Sequence, residues 1–269
     1  MQSSHSPNEK FTDRFFARQP WLAYSILGLN VIVFLVMLKA SLLPIRLTLI
    51  AGNDHATLIN FGAKSNFWLL QQRQWFRLVT PIFIHIGLLH LASNSYALWI
   101  VGPIVERLYG SGRFALLYLL TGIAGVAGSV LTRGDVQSPV AGASGALFGL
   151  FGALLMVSFK YRHELPTTFR QAFRKGILLV VGFNFLFGLL NNTGWLFGNR
   201  FRAVIPFIDL WGHASGLLTG AILAMILPYL PPEKNSHSWL DKLILVICLF
   251  IVSYCFLRAY QLRPYFIQR

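Results

Sequence analysis

Residues 138–154 read "SPVAGASGALFGLFGAL", and Ser144 stands there between Gly142 and Gly145 at the head of an apolar run. The plainest reading of the stretch is helix packing. Gly145 and Gly149 are four apart, and small residues at that spacing let membrane helices approach closely; serine is small enough to join them. The chain is free of charge from 136 to 159. About 20 apolar residues are needed to cross a bilayer as a helix, so this stretch can span.

Working outward, the charge-free stretches 19–38, 78–105, 114–132, 176–199 and 210–232 can span too. A seventh run, 243–257, is shorter. Lys242 and Arg258 can snorkel outward at its ends, which extends it to roughly 240–262. Of the 269 residues 55% are hydrophobic and only 12% charged, with mean hydropathy +0.58. That excludes an ordinary soluble domain and indicates an all-α polytopic membrane protein. No small-residue cleavage site follows the first apolar run, so it reads as a retained helix rather than a signal peptide. The expected division is a short N-terminal tail, 1–20; a six-helix core, 21–232, with a first loop at 39–77; and a connection, seventh helix and tail, 233–269.

The net charge of +14 bears first on orientation and on anionic headgroups, and no nucleic-acid partner is inferred from it. With the N-terminus inside, the inner segments hold 12 of the 23 Lys and Arg, so totals barely discriminate. The basic segment 160–175, with Lys160, Arg162, Arg170, Arg174 and Lys175, decides for a cytoplasmic N-terminus. Cys248 and Cys255 lie two helical turns apart, too far for a disulfide within one helix. No metal or other cofactor is expected.

Ionisable residues inside spans are costly and are candidates for function. Span two contains His85, His90 and Asn94, span four Ser144, and span six His213. With the N-terminus inside, even-numbered spans run inward, so Ser144, His213 and His90 share the outer half of the membrane. His90 and Asn94, four apart, share one helix face. Gly212, Gly216 and Gly220 make a close-packing stripe on span six that matches Gly145 and Gly149 on span four. The two stripes would set Ser144 beside His213.

A serine hydroxyl becomes a nucleophile when a neighbouring base takes its proton, and a neutral His213 is that base. Asp209, one turn earlier, reads as a helix N-cap rather than an orienting carboxylate. The expected machine is therefore a Ser–His dyad. The N–H of Ser144 at a helix N-terminus and the side chains of His90 and Asn94 are candidate donors to an oxyanion. His85 is expected near the mouth of a water-filled cavity.

These motifs together resemble the rhomboid family of intramembrane serine proteases. The resemblance covers roughly residues 60–230 and rests on motifs in family order: "QWFRLVTPIFIH" with Trp75 and Arg77, "HLASN", "GPIVERLYGSGRF", "GASGALFG" and "GHASGLLTG". It implies a rhomboid-like six-helix bundle with an added C-terminal helix. It implies Ser144 as nucleophile, His213 as base, and His90 and Asn94 on the oxyanion side. Phe148 takes the place of a ring stacked on the histidine, and Gly142, Gly145, Gly216 and Gly220 support the site. It implies single-span membrane proteins as substrates, entering from the bilayer between spans two and five. On that route Phe183, Phe185, Phe187 and Trp195 would close a gate. Trp68, Trp75 and Phe76 would anchor the first loop at the interface. The seventh span matches a "six plus one" branch, and the lack of a transit peptide points to a bacterial inner membrane. Gly212 and Phe76 depart from the commoner alanine and tryptophan at those places. Two other readings stay open: an inactive relative that binds membrane clients, and a proton-coupled transporter relaying through His85, His90 and His213.

Overall fold

The computed structural model describes residues 15–132, 139–193, 208–229 and 239–263. Along them run α1 (Trp21–Ala40), α2 (Ile45–Ala51), α3 (His55–Asn60), α4 (Leu88–Tyr109), α5 (Ser111–Thr132), α6 (Ser144–Lys160), α7 (Thr167–Asn192), α8 (Leu210–Ile226) and α9 (Trp239–Gln261). Among the described residues there is no strand, only an isolated backbone pairing of Lys64 with Val140. Helices α1, α4, α5, α7 and α9 are long and apolar enough to cross a bilayer; α6 and α8, at 17 residues each, are shorter. The protein is an all-helical, multi-pass membrane protein.

Two segments differ from the sequence expectation, and a third gains detail. The charge-free stretch 78–105 is not one helix. Two 3₁₀ turns, Trp75–Leu78 and Thr80–Phe83, precede α4, with Pro81 at the start of the second. Proline has no N–H to give an α-helix and disfavours helical geometry just before it. The basic segment 160–175 is not a loop throughout either. Only Tyr161–Pro166 connects, and Arg170, Arg174 and Lys175 belong to the first turns of α7. The first loop, 39–77, carries the short helices α2 and α3 and a π turn, Phe67–Gln71.

Buried carboxylates close the helix ends where local capping is absent. Pro20 leads α1 without a side-chain cap, and Glu106 accepts from Leu22 N at 3.2 Å and Ala23 N at 2.8 Å instead. Asp241 of α9 accepts from Gly112 N and Arg113 N, both at 3.1 Å, at the start of α5. These anions meet the unsatisfied N–H groups of a helix N-terminus. They tie α1 to α4 and the seventh helix to the third span.

The centre of the molecule is α6. Nine consecutive residues, Ala146–Leu154, are buried, as in a helix surrounded on all sides. Its neighbours are α5 and α8, and glycines set the separations. A methyl added at Gly216 would overlap the Gly145 carbonyl, one at Gly220 the Gly149 carbonyl, and one at Gly152 the Leu217 carbonyl. A third stripe, on α5, joins them: Gly125 lies against Gly145 and the Gly212 carbonyl, and Gly128 against Ser215. Lipid tails give no hydrophobic drive for helices to associate, so close backbone approach supplies the packing energy.

Candidate active site

Ser144 is the first residue of α6. The chain reaches it through Gly142, whose φ of +135° is a conformation that side chains rarely adopt. Gly142 N donates to Pro81 O at 2.8 Å, and Val140 exchanges two 2.9 Å backbone bonds with Lys64. The first loop thus holds the approach to the serine. That loop is organised by Arg77, which is buried and donates to Gln74 Oε1 and to the Ile59 and Ala63 carbonyls.

His213 sits in the first turn of α8. Asp209 caps that helix, accepting from Gly212 N at 3.1 Å. The glycine junction brings the first turns of α6 and α8 side by side. His213 Nε2 then lies 2.8 Å from Ser144 Oγ. Phe148, one turn along α6, stacks on the imidazole at 4.3 Å between centroids and 5° between planes. Each of these helices is about 25 Å long at about 1.5 Å per residue, against a hydrocarbon core of about 30 Å. Each is thus shorter than that core by about one helical turn.

His90 and Asn94 approach from the first two turns of α4. A Cβ built on Gly142 would meet His90 Nε2 at 2.7 Å and Asn94 Nδ2 at 3.3 Å, so both side chains press on the residue two before Ser144. Among the described residues, His90 Nδ1 and Asn94 Nδ2 are buried without a hydrogen-bond partner. A buried orphan donor costs about 1–3 kcal/mol. A cavity of 1000 Å³ runs past these groups, lined by His90, Asn94, Gly142, Ser144, Asn184 and His213 among others.

His85 is a correction. It precedes α4 rather than lying in it, is 0% exposed, and packs edge-on against His90 at 5.4 Å. It does not line the cavity, and so is not at its mouth. Of the four rings expected to close a gate, three lie among the described residues. Phe183 is 69% exposed and stacks on Phe187, and neither lines the cavity. Phe185 packs inward on Phe148 at 6.0 Å. Trp195 lies outside the described residues. Phe76, expected at the interface, is buried with the Arg77 guanidinium over its ring, while Trp75 is exposed.

Sequence reasoning missed Asn184. Its Oδ1 is 2.9 Å from His213 Nδ1. The available signal was an amide in the otherwise apolar run "LLVVGFNFLFGLL", overshadowed there by the phenylalanines.

Fold and geometry define a multi-pass helical membrane protein with a hydrogen-bonded serine and histidine recessed in a cavity. A model of the Rhomboid domain matches residues 72–230, and the chain belongs to the rhomboid family. It is 38% identical to Rhomboid protease GluP of Bacillus subtilis (strain 168) over 87% of its own length and 40% of that relative. It is 31% identical to Putative rhomboid protease YdcA of the same organism, over 73% of this chain and 87% of that one. It is 29% identical to RHOMBOID-like protein 6, mitochondrial, of Arabidopsis thaliana, over 81% and 74%. The chain thus spans about two fifths of the length of the first of these relatives.

Proposed function

We propose that this protein is an intramembrane serine endopeptidase that cuts single-span membrane proteins in or near their transmembrane segments. The observation that carries the reading is the 2.8 Å contact between Ser144 Oγ and His213 Nε2. Ser144 Oγ attacks the scissile carbonyl carbon as its proton passes to His213 Nε2. The tetrahedral intermediate collapses, the C–N bond breaks, and His213 gives that proton to the leaving amine. An acyl-enzyme on Ser144 remains. Water then attacks it, with His213 taking the water's proton and returning it to Ser144.

The oxyanion is met by donors held in advance. The N–H of Ser144, at the start of α6, has no intrahelical partner, and the orphan Asn94 Nδ2 and His90 lie across the cavity. Each such donor contributes about a hundredfold to a thousandfold. Phe148 holds the imidazole plane, and Gly142, Gly145, Gly216 and Gly220 permit the approach. The machinery belongs to residues 21–232, with 233–269 appended. The proposed setting is a bacterial inner membrane with the N-terminus in the cytoplasm. The test is cleavage of a single-span substrate by purified protein in detergent. Wild type is expected to cut it and Ser144→Ala to leave it whole; equal cleavage by both would overturn the reading.

A further inference from the structure

His213 accepts a proton from Ser144 only when the lone pair of Nε2 faces Oγ. That requires the ring's own proton to sit on Nδ1. An imidazole without a partner at Nδ1 divides between its two tautomers, and one of them presents an N–H to the serine and cannot act as base. In this structure Nδ1 has a partner, Asn184 Oδ1 at 2.9 Å. An amide oxygen only accepts, so this contact requires an N–H at Nδ1.

The contact is held by its surroundings. Gly188, one turn along α7, is buried, and an added methyl would press on Leu210 and Ile208. Two turns along, the Asn192 amide brackets Ile208, donating to its carbonyl at 2.7 Å and accepting from its N–H at 3.0 Å. These contacts fix α7 against the segment that leads into α8, one turn before His213. Phe185, next to Asn184, packs on the ring that stacks on His213.

We propose that Asn184 is a positioning residue that holds His213 in the Nδ1–H tautomer, so that Nε2 faces Ser144 ready to accept its proton. The proposal rests on the Ser–His reading above. When the proton moves from Oγ to Nε2 the imidazole becomes a cation, and the Nδ1–H···O bond strengthens as that charge develops. The effect therefore belongs to the transition state and appears in kcat rather than in KM. An amide that merely joined two helices would leave the tautomer and the kcat-to-KM balance alone.

The test uses the full-length protein in detergent with a single-span substrate. Asn184→Leu is expected to lower kcat about tenfold or more with KM little changed. Asn184→Asp keeps an acceptor at the same place and is expected to restore most of the rate. In ¹⁵N-histidine spectra, His213, assigned by its loss in His213→Ala, is expected as the Nδ1–H form in wild type and as a tautomer mixture in Asn184→Leu. An unchanged kcat in Asn184→Leu, a rise in KM alone, or an Asp variant as slow as the Leu variant would overturn the proposal. Should the added carboxylate unfold the protein, the spectra of wild type and Asn184→Leu decide alone: the same tautomer in both refutes it. The spectra also separate the two readings. If wild type cuts nothing, the Ser–His reading fails while the tautomer comparison still tests Asn184.

Discussion

Helices α5 and α7 both cross the membrane, yet they are held differently. In the most apolar stretch of α5, 61% of the residues are buried, against 11% in α7. The glycines follow the same divide. Those of α5, α6 and α8 touch backbone or side chains of a neighbour, whereas an added methyl at Gly176 or Gly182 of α7 would meet nothing within 4 Å. Ser144 and His213 ride on the tight part. One wall of the cavity, and the amide that meets His213 Nδ1, ride on the loose part. The nucleophile and base are set by close-packed backbones, while the flank that carries Asn184 and bounds the substrate space is held by separate side-chain contacts: Gly188 and Asn192 on the segment before α8, Phe185 on Phe148 and Arg174 on Ser158.

This contrast is open to direct attack. The largest effect is expected in the junction. Gly220→Leu drives a side chain into the Gly149 carbonyl and should unfold the protein or cost several kcal/mol, read as loss of the thermal transition. Gly182→Leu, in α7, should fold normally. If both variants fold, the rigid junction is wrong. Next comes the oxyanion side. Asn94→Ala should lower kcat about a hundredfold to a thousandfold, with little change in thermal stability. A variant that unfolds instead would make Asn94 a structural bond between helices.

A smaller effect is expected at the first loop. Asp54 caps α3, accepting from Thr57 N, Thr57 Oγ1, Ser41 Oγ and Leu42 N. Burial raises its pKa, but these hydrogen bonds outweigh burial and hold the carboxyl below its ordinary value. A carboxyl whose folded pKa is depressed adds stability above its unfolded pKa of about 3.9 and loses it as pH falls through the lower folded value. Asp54→Ala should cost about 0.5–2 kcal/mol at neutral pH, and the cost should shrink below about pH 4. A melting difference that does not change with pH would contradict the assignment. The smallest effect is expected at Phe183. Phe183→Ala should leave cleavage of a membrane substrate within about twofold, since the ring does not line the cavity. A large acceleration would assign Phe183 to the gate.

Much of the fold was legible because the bilayer imposes a coarse rule: stretches without charge cross it. That rule reports burial in lipid and not backbone geometry. It therefore missed the start of α4, where Pro81 favours 3₁₀ turns, and the true length of α7, whose first turns carry Arg170, Arg174 and Lys175. The pairing of Ser144 with His213 was legible from glycine spacing, since small residues four apart mark surfaces that meet. Asn184 was not. Its partner is 29 residues away in sequence, and nothing in the local pattern of α7 says which helix face turns inward. The capping carboxylates Glu106 and Asp241 escaped for the same reason, as each serves a helix distant in sequence.

The central claim is that Ser144 is a nucleophile activated by His213. The most direct measurement is mass-spectrometric mapping of the adduct formed by a fluorophosphonate probe on the folded protein in detergent. The expected result is a single modified serine, Ser144, whose labelling rate falls at least a hundredfold in His213→Ala. Labelling at another serine, or labelling of Ser144 at an undiminished rate without His213, would contradict it.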